Sequence, residues 1–193
     1  FAKIYAGAGE AGIAKEDLDQ FAESAAKVSV AFGVTAEEAG SGMAKMRSGL
    51  GLSQDGVEDL MGSMNHLSNN QASMAQQIMG VVLATGGVGK AANLSGQEVA
   101  GLGAAMIAAG AQSDVAATAS KNYILALASG ETATKRQRAA FSELGMSAED
   151  VAKRFTGSAK ERLAVQQELL TEINKLDKDK KVSALSNLFG KES

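Results

Sequence analysis

Apolar residues recur along most of the chain at spacings of three and four, which is the period of an amphipathic α-helix. The clearest stripe runs from Leu18 to Phe32 and stops before Gly33. Further stripes predict helices that start after residues 35, 53, 73, 95 and 113. Four charged amphipathic helices are predicted over 135–144, 148–155, 161–176 and 180–189. We therefore expect an all-α fold, a compact bundle of about eight to ten short helices.

A repeated corner marks the helix boundaries: Gly or Asn, then an apolar residue, then Ser or Thr. Gly and Asn tolerate the left-handed backbone that ends a helix, and a Ser or Thr side chain accepts an amide hydrogen bond at the next start. At Ser95, Glu98 is also placed to return a bond to the cap amide. The predicted caps are Thr35, Ser53, Ser95 and Ser147, with weaker candidates at Ser73 and Ser113; the predicted stops are Gly33, Gly51, Asn93 and Gly145.

The length of 193 residues fits a single helical module over 1–193. A possible subdivision separates residues 14–130, which are rich in Ala and Gly, from the charged residues 131–193. The chain contains no Cys, which removes disulfides, thiolate metal sites and cysteine nucleophiles. It also contains no Pro, so helix ends depend on Gly, Asn and the caps. The chain opens with Phe and shows no signal-peptide pattern, so we expect a fragment of a longer protein.

Charge is low overall and unevenly distributed. The formal net charge of -3 argues against general affinity for nucleic acid, which needs a basic surface. Between residues 60 and 130 the only charged side chains are Lys90, Glu98, Asp114 and Lys121. This middle region is either the core layer of a bundle or a surface for self-association. Its apolar runs are shorter than the roughly 20 residues of a membrane-spanning helix, so we expect no membrane segment here.

The sequence Gly86-Gly87-Val88-Gly89-Lys90 resembles the phosphate-binding loop of deviant Walker ATPases. Such loops follow the lysine with Ser or Thr to hold magnesium, whereas Ala91 follows here. No strand that ends in Asp appears downstream to hold the metal from the other side. We therefore interpret the segment as a flexible glycine joint between helices and expect no bound nucleotide.

The remaining polar groups give no catalytic pattern. His66 is the single histidine and has no carboxylate at helical spacing near it, which favours a helix-surface position. The acidic pairs at residues 37–38, 58–59 and 149–150 lie near helix starts, where the helix dipole explains them. The basic clusters at 135–138 and 178–181 are interrupted by acidic or neutral residues and lack nearby aromatics, as solvated helix faces do. We predict no catalytic, cofactor-binding or metal-binding residues, no cofactor, and no enzymatic activity.

Taken together, five segments resemble the N-terminal helical region of phage tail tape measure proteins, most closely the contractile-tail type of prophages in Gram-negative bacteria. The order Leu-Gly-Met-Ser-Ala-Glu-Asp followed by Leu-Phe-Gly-Lys-Glu is the most distinctive part. The chain stops before the long coiled and apolar segments that such proteins usually carry. The segments are Ala22 to Gly40, Leu52 to Asn70, Leu94 to Ala117, Gly130 to Phe155 and Leu185 to Ser193.

The resemblance implies a structural protein that sets tail length and is incorporated in several copies, as a homo-oligomer, inside the growing tail tube. It also implies as partners the tail tube protein, the tail assembly chaperones and the baseplate hub. The implied locations are the lumen of the virion tail and, during assembly, the host cytoplasm. The composition alone also fits an alternative, a helical self-association or adhesion module of a bacterial effector or secreted protein.

Overall fold

The computed structural model describes residues 12–190 together with Tyr5, Ala8 and Gly9, so most of the segment before Gly12 lies outside the described residues. The described part is all-α, as predicted, with ten α-helices and no strand. None of its helices is long and apolar enough to cross a membrane. The helices are α1 (Leu18–Phe32), α2 (Ala36–Leu50), α3 (Gln54–Asn70), α4 (Ala75–Ala91), α5 (Gly96–Ala108), α6 (Ser113–Ala128), α7 (Lys135–Glu143), α8 (Ala148–Phe155), α9 (Ala159–Lys175) and α10 (Lys178–Phe189).

The chain packs into two compact units. Unit one comprises Phe1–Lys90 and Ser95–Ala117, and unit two comprises Ala91–Leu94 and Thr118–Ser193. The boundary therefore falls inside α6 and does not coincide with the change of composition after Gly130. The two units are defined by packing, whereas the predicted subdivision is defined by composition. The units therefore do not test the subdivision, which stays a prediction.

Unit one is built on α1, which packs against α2 and α3, and on α3, which also packs against α5. Its core relies on methionine where other domains use aromatic rings, because Met fills irregular gaps between closely spaced helices. Glycine brings two of the helices together, since a β-carbon added to Gly103 of α5 would lie 2.7 Å from a methyl carbon of Val81 on α4. The buried methionines are Met43, Met46, Met61, Met64 and Met79.

Unit two contains most of the aromatic packing. Helix α8 packs against α9 and the short 3-10 turn Gly130–Thr132, and α10 packs against α7. The ring of Tyr123 lies edge-on to Phe155 at 6.3 Å and tilted over Phe189 at 5.2 Å. Burial raises the pKa of Tyr123, whose hydroxyl donates a hydrogen bond to Gln166 at 3.0 Å. These contacts tie α6, α8, α9 and α10 to one another.

Candidate functional site

The four predicted cap residues lie at N-caps with extended backbones. Each side-chain oxygen accepts a hydrogen bond from the backbone amide three residues on, at 3.1–3.2 Å. Thr35 and Ser95 form complete capping boxes, because their amides donate to Glu38 and Glu98 at 2.8 Å. The bonds from the backbone and side chain of Thr35 hold the pKa of Glu38 below its usual value. The four caps are Thr35, Ser53, Ser95 and Ser147.

The four predicted stops adopt the left-handed backbone. Gly33, Gly51 and Gly145 have φ of 68°, 69° and 71°. Asn93 is the one non-glycine residue with positive φ in the described part of the chain, at 62°. Its side-chain amide donates to the carbonyl of Thr156 at 3.0 Å, so Asn93 also ties its corner to the end of α8. These corners set helix lengths, and the carboxylates of Glu38 and Glu98 at two of them serve as partners of the cap residues.

Two weaker cap predictions are wrong, because neither serine is the residue directly before its helix. Ser113 is the first residue of α6, and its hydroxyl donates to the carbonyl of Gln77 in α4 at 3.1 Å. Ser73 lies two residues before α4 and is buried, while the amide of Met74 donates to Gln77 at 3.3 Å. Packing between helices thus overrides the local pattern at Ser113, whereas the buried hydroxyl of Ser73 has no hydrogen-bond partner among the described residues.

Two further capping boxes were missed, although the sequence carries their signal. Thr134 pairs with Gln137 at the start of α7, and Ser158 pairs with Glu161 at the start of α9. Both follow the pattern of Ser or Thr with Glu or Gln three residues later. In the four predicted corners, the Gly or Asn stop lies two residues before the cap. Neither Thr134 nor Ser158 has such a residue there, so a search for the complete corner does not find them.

The predicted flexible joint at residues 86–90 is wrong, because α4 runs without interruption from Ala75 to Ala91. Gly86 and Gly89 are buried, and a β-carbon on Gly86 would lie 2.8 Å from Leu50. Packing against α2 therefore stabilises a helix that glycine content alone disfavours. In this conformation the segment's backbone amides lie within a helix, and Lys90 is in its last turn. A phosphate-binding loop instead presents free amides at a helix start.

His66 lies exposed on α3, with the side-chain amide of Asn70 at 3.4 Å from Nδ1. It borders a shallow cleft that Glu58, Asp59 and Gln97 also line. Within residues 12–190, no three His, Asp or Glu side chains come together as a metal site would require. The geometry is that of a surface histidine.

Glu58, which the sequence suggested only as a helix-start acid, is the centre of a polar network between α1 and α3. One of its carboxylate oxygens accepts hydrogen bonds from Gln20 at 3.1 Å, Ser24 at 2.7 Å and Gln54 at 2.7 Å. Partial burial raises the pKa of Glu58, but these three bonds and the charge of Lys27 together outweigh it, so the pKa lies below the usual value. Arg47 extends the network by bonding Gln54 at 3.1 Å and Asp17 at 2.9 Å. The network fixes the relative register of three helices.

Most apolar side chains of the low-charge middle are buried, but one face of it remains open. Helices α2 and α4 of unit one lie side by side and leave two adjoining clefts of about 550 and 460 Å³ between them. Met46 and Val82 form a buried apolar floor of one cleft, and Met79 of the other. Leu83, 40% exposed, and Lys45 line both clefts. We call this surface the α2–α4 face.

The charges on the α2–α4 face are arranged along its length. The two helices run in the same direction, since Gly42 lies against Met79 and, farther on, Gly86 lies against Leu50. Glu37 and Glu38 are therefore at one end. Lys90 is at the other end, where its amine lies 2.8 Å from the β-carbon position of Gly51. Within the described residues, neither Lys45 nor Lys90 forms an ion pair.

Comparison with known proteins assigns the family. The family model described as phage-related minor tail protein matches residues 1–190. A relative from Halomonas phage phiHAP-1, named "Probable tape measure protein", is 34% identical over 200 residues. The alignment covers 100% of this chain but 23% of the relative, so the chain spans about a quarter of the relative's length. No solved structure matches the chain. Because the family model covers almost every residue, the chain belongs to the phage-related minor tail protein family and is a structural component of a phage tail.

Proposed function

We propose that this chain is a segment of a tape measure protein, which sets tail length and scaffolds assembly of the tail tube. The observation that supports this most directly is the similarity along the whole chain to a relative that carries that name. Since the chain spans 23% of that relative, tail-length control would be a property of the longer protein. The same similarity makes the alternative of an effector or secreted adhesion module the weaker one.

Within that protein, the segment would be present in several copies, each a folded helical module before it enters the tail. Its proposed position is the lumen of the tail, after assembly in the host cytoplasm. Its proposed partners are the tail tube protein, the assembly chaperones and the baseplate hub. The helix corners support a module of this kind, because they give the chain defined short helices and an ordered surface for protein contacts.

A protein that sets tail length must convert its number of residues into a length along the tail, and the short folded helices of this segment give little length per residue. Its longest helices have 17 residues, which span roughly 26 Å at 1.5 Å per residue. We propose that the corners straighten inside the tail, since no Pro forbids helix continuation and each interior Gly costs only about 1 kcal/mol relative to Ala. Cryo-electron microscopy of a tail that shows these residues still folded as separate short helices would contradict this part of the proposal.

Electron microscopy of tails from phage that lack the segment tests the main proposal. Removing residues 1–190 in frame leaves no partial unit, and we expect tails that are shorter by up to about 285 Å, or tail assembly that fails. A phage with the Gly101→Ala substitution controls for a folded but altered segment and should make tails of normal length. Normal numbers of full-length tails after the deletion, combined with lost adsorption, would support the adhesion alternative.

The proposal assigns the segment no catalytic role, and this is tested with nucleotide. If residues 86–90 bound ATP and magnesium, binding would raise the melting temperature, because a ligand stabilises the folded state it prefers. We expect no increase. A rise of several degrees that Lys90→Ala removes would contradict a purely structural role.

A further inference from the structure

We propose that the α2–α4 face binds an amphipathic helix of a partner protein, and that this helix carries acidic residues beside its apolar stripe. The inference rests on the shape of the face and on the charges that it leaves available, and it does not depend on the tape measure assignment. It gives the chemistry that a partner of this part of the low-charge middle must have.

The shape of the face is that of a groove. The cleft lined by Gly42 and the cleft lined by Gly49 follow one another along α2, and exposed Leu83 stands at the border that they share. Met46 and Met79 form part of the two floors, and methionine side chains adapt to different apolar partners. Helix α2 has 15 residues, so the groove is about 22 Å long. A helix of about four turns would fill it, with apolar side chains entering the clefts on both sides of Leu83.

An α-helix fits this groove better than an extended segment does. Both walls of the groove are α-helices, whose backbone groups form hydrogen bonds within their own helix. The face therefore offers no backbone edge with which an extended chain could pair. An extended segment would lose its hydrogen bonds to water on entering an apolar cleft, whereas a helix satisfies its own backbone groups.

The charges that the face leaves available are positive. Lys45 lines both clefts and Lys90 lies in the last turn of α4, and among the described residues neither lysine forms an ion pair. The acidic residues at the opposite end are already engaged. The amide and the hydroxyl of Thr35 each donate to the carboxylate of Glu38 at 2.8 Å, and Glu37 has an interaction of its own. Acidic residues of a partner would therefore meet two lysines without displacing an existing ion pair.

A second copy of the chain matches the face less well than an acidic helix does. A contact with two-fold symmetry across the groove would set Lys45 against the same lysine of the facing copy. Like charges brought together in this way oppose association. The face therefore favours a partner of a different sequence.

The positions of the two lysines predict where the partner's acidic residues lie. The amine of Lys90 is beside Gly51, which follows Lys45 by six residues, or roughly 9 Å along the groove. In a facing helix, acidic residues about two turns apart have a similar separation and lie on one side. A partner that runs antiparallel to α2 and α4 would place its N-terminus at the Lys90 end. Acidic residues are favourable in the first turn of a helix, so this direction brings them to Lys90.

Fluorescence anisotropy of a labelled peptide with the 193-residue chain tests the contact. The probe is a helix-stabilised synthetic peptide of about four turns, with a leucine on each turn and two glutamates about two turns apart beside the leucines. A control peptide carries lysines in place of the glutamates. We expect the acidic peptide to bind at least about tenfold more tightly than the control peptide.

Variants of the chain locate the binding site. Leu83→Glu should weaken binding of the acidic peptide at least about tenfold, because it places a carboxylate in the apolar groove. The matched control is Val30→Glu, which adds the same charge at an apolar residue of α1 that is 85% exposed and lines neither cleft. This control should leave binding unchanged. Thermal melts check that both variants fold.

A charge exchange tests the role of the lysines. Lys45→Glu should weaken binding of the acidic peptide about three- to tenfold and strengthen binding of the lysine peptide by a similar factor. Equal binding of the two peptides, or binding that Leu83→Glu leaves intact, would overturn the proposal. So would an acidic peptide that fails to bind at concentrations up to about 1 mM. Sedimentation equilibrium that shows self-association, weakened by Leu83→Glu, in a chain that does not bind the acidic peptide would identify a second copy as the occupant and contradict the proposal.

Discussion

Two glycines of α5, two residues apart, should respond in opposite directions to the same substitution. A β-carbon at Gly101 meets nothing within 4 Å. At Gly103 it would lie 2.7 Å from Cγ1 and 3.0 Å from Cβ of Val81, whose side chain is fully buried. Since valine is β-branched and held by its neighbours, it has no rotamer that yields this space cheaply.

The expected magnitudes follow from these distances. Gly101→Ala should raise the free energy of unfolding by about 0.5–1 kcal/mol, because alanine loses less backbone entropy in a helix. Gly103→Ala makes the same gain but overpacks the contact with α4, which costs about 1–3 kcal/mol. The net result is a loss of roughly 1–2 kcal/mol. The melting temperature should therefore rise by about 1–4 °C for Gly101→Ala and fall by about 2–8 °C for Gly103→Ala.

Thermal and urea unfolding of the two variants, monitored by circular dichroism, measure this difference. A double-mutant cycle combines Gly103→Ala with Val81→Ala. The double variant should lose less free energy of unfolding than the two single variants added together, by at least about 0.5 kcal/mol. Stabilisation by Gly103→Ala equal to that by Gly101→Ala would refute the close approach of α4 and α5. Additive costs in the cycle would refute Val81 as the residue that obstructs the new methyl group.

Four other outcomes are expected. Ser95→Ala should lower the free energy of unfolding by about 1 kcal/mol in urea titrations, since it removes the cap acceptor. The side-chain and backbone hydrogen bonds of Ser158 lower the pKa of Glu161, so the ionised carboxylate stabilises the folded state above its unfolded pKa. This stabilisation is lost as pH falls through the folded pKa, and Glu161→Gln should reduce the fall in the free energy of unfolding between pH 7 and 3. Arg162→Leu should cost about 1–3 kcal/mol in thermal melts, because the buried guanidinium donates to the carbonyl of Phe155 at 2.6 Å. Gly145→Ala should cost about 1–2 kcal/mol by the same measurement, since its φ of 71° disfavours alanine.

Helix identity and most helix boundaries could be predicted from the sequence because the signals for them are local. A cap such as Thr35 and its partner Glu38 are three residues apart, and one helical turn brings them into contact whatever the rest of the chain does. The same locality explains why Gly33 and Asn93 were identified as stops, since a left-handed backbone is a property of the residue itself.

The polar network could not be predicted, because its members are far apart in sequence. Glu58 meets Gln20 and Ser24 across 38 and 34 residues, and no pattern in one sequence reports such a distance. Ser113 fails as a cap for the same reason, since the carbonyl of Gln77 that takes its hydroxyl belongs to another helix. In each case a partner from a distant element decides the role of a residue whose local sequence suggests another.

The glycines of α4 show why the break predicted at residues 86–90 does not occur. A helix with glycines at 80, 86, 87 and 89 is weak by propensity, so its sequence indicates a break. Buried Gly86 instead lets Leu50 pack against the backbone, which holds the helix in place. Exposed Gly80 allows α6 to approach in a similar way, because a β-carbon there would lie 3.2 Å from Oγ of Ser113, whereas nothing lies within 4 Å of a β-carbon at Gly87. Contacts with α2 and α6, which no local pattern reports, therefore stabilise α4 against the low helix propensity of its glycines.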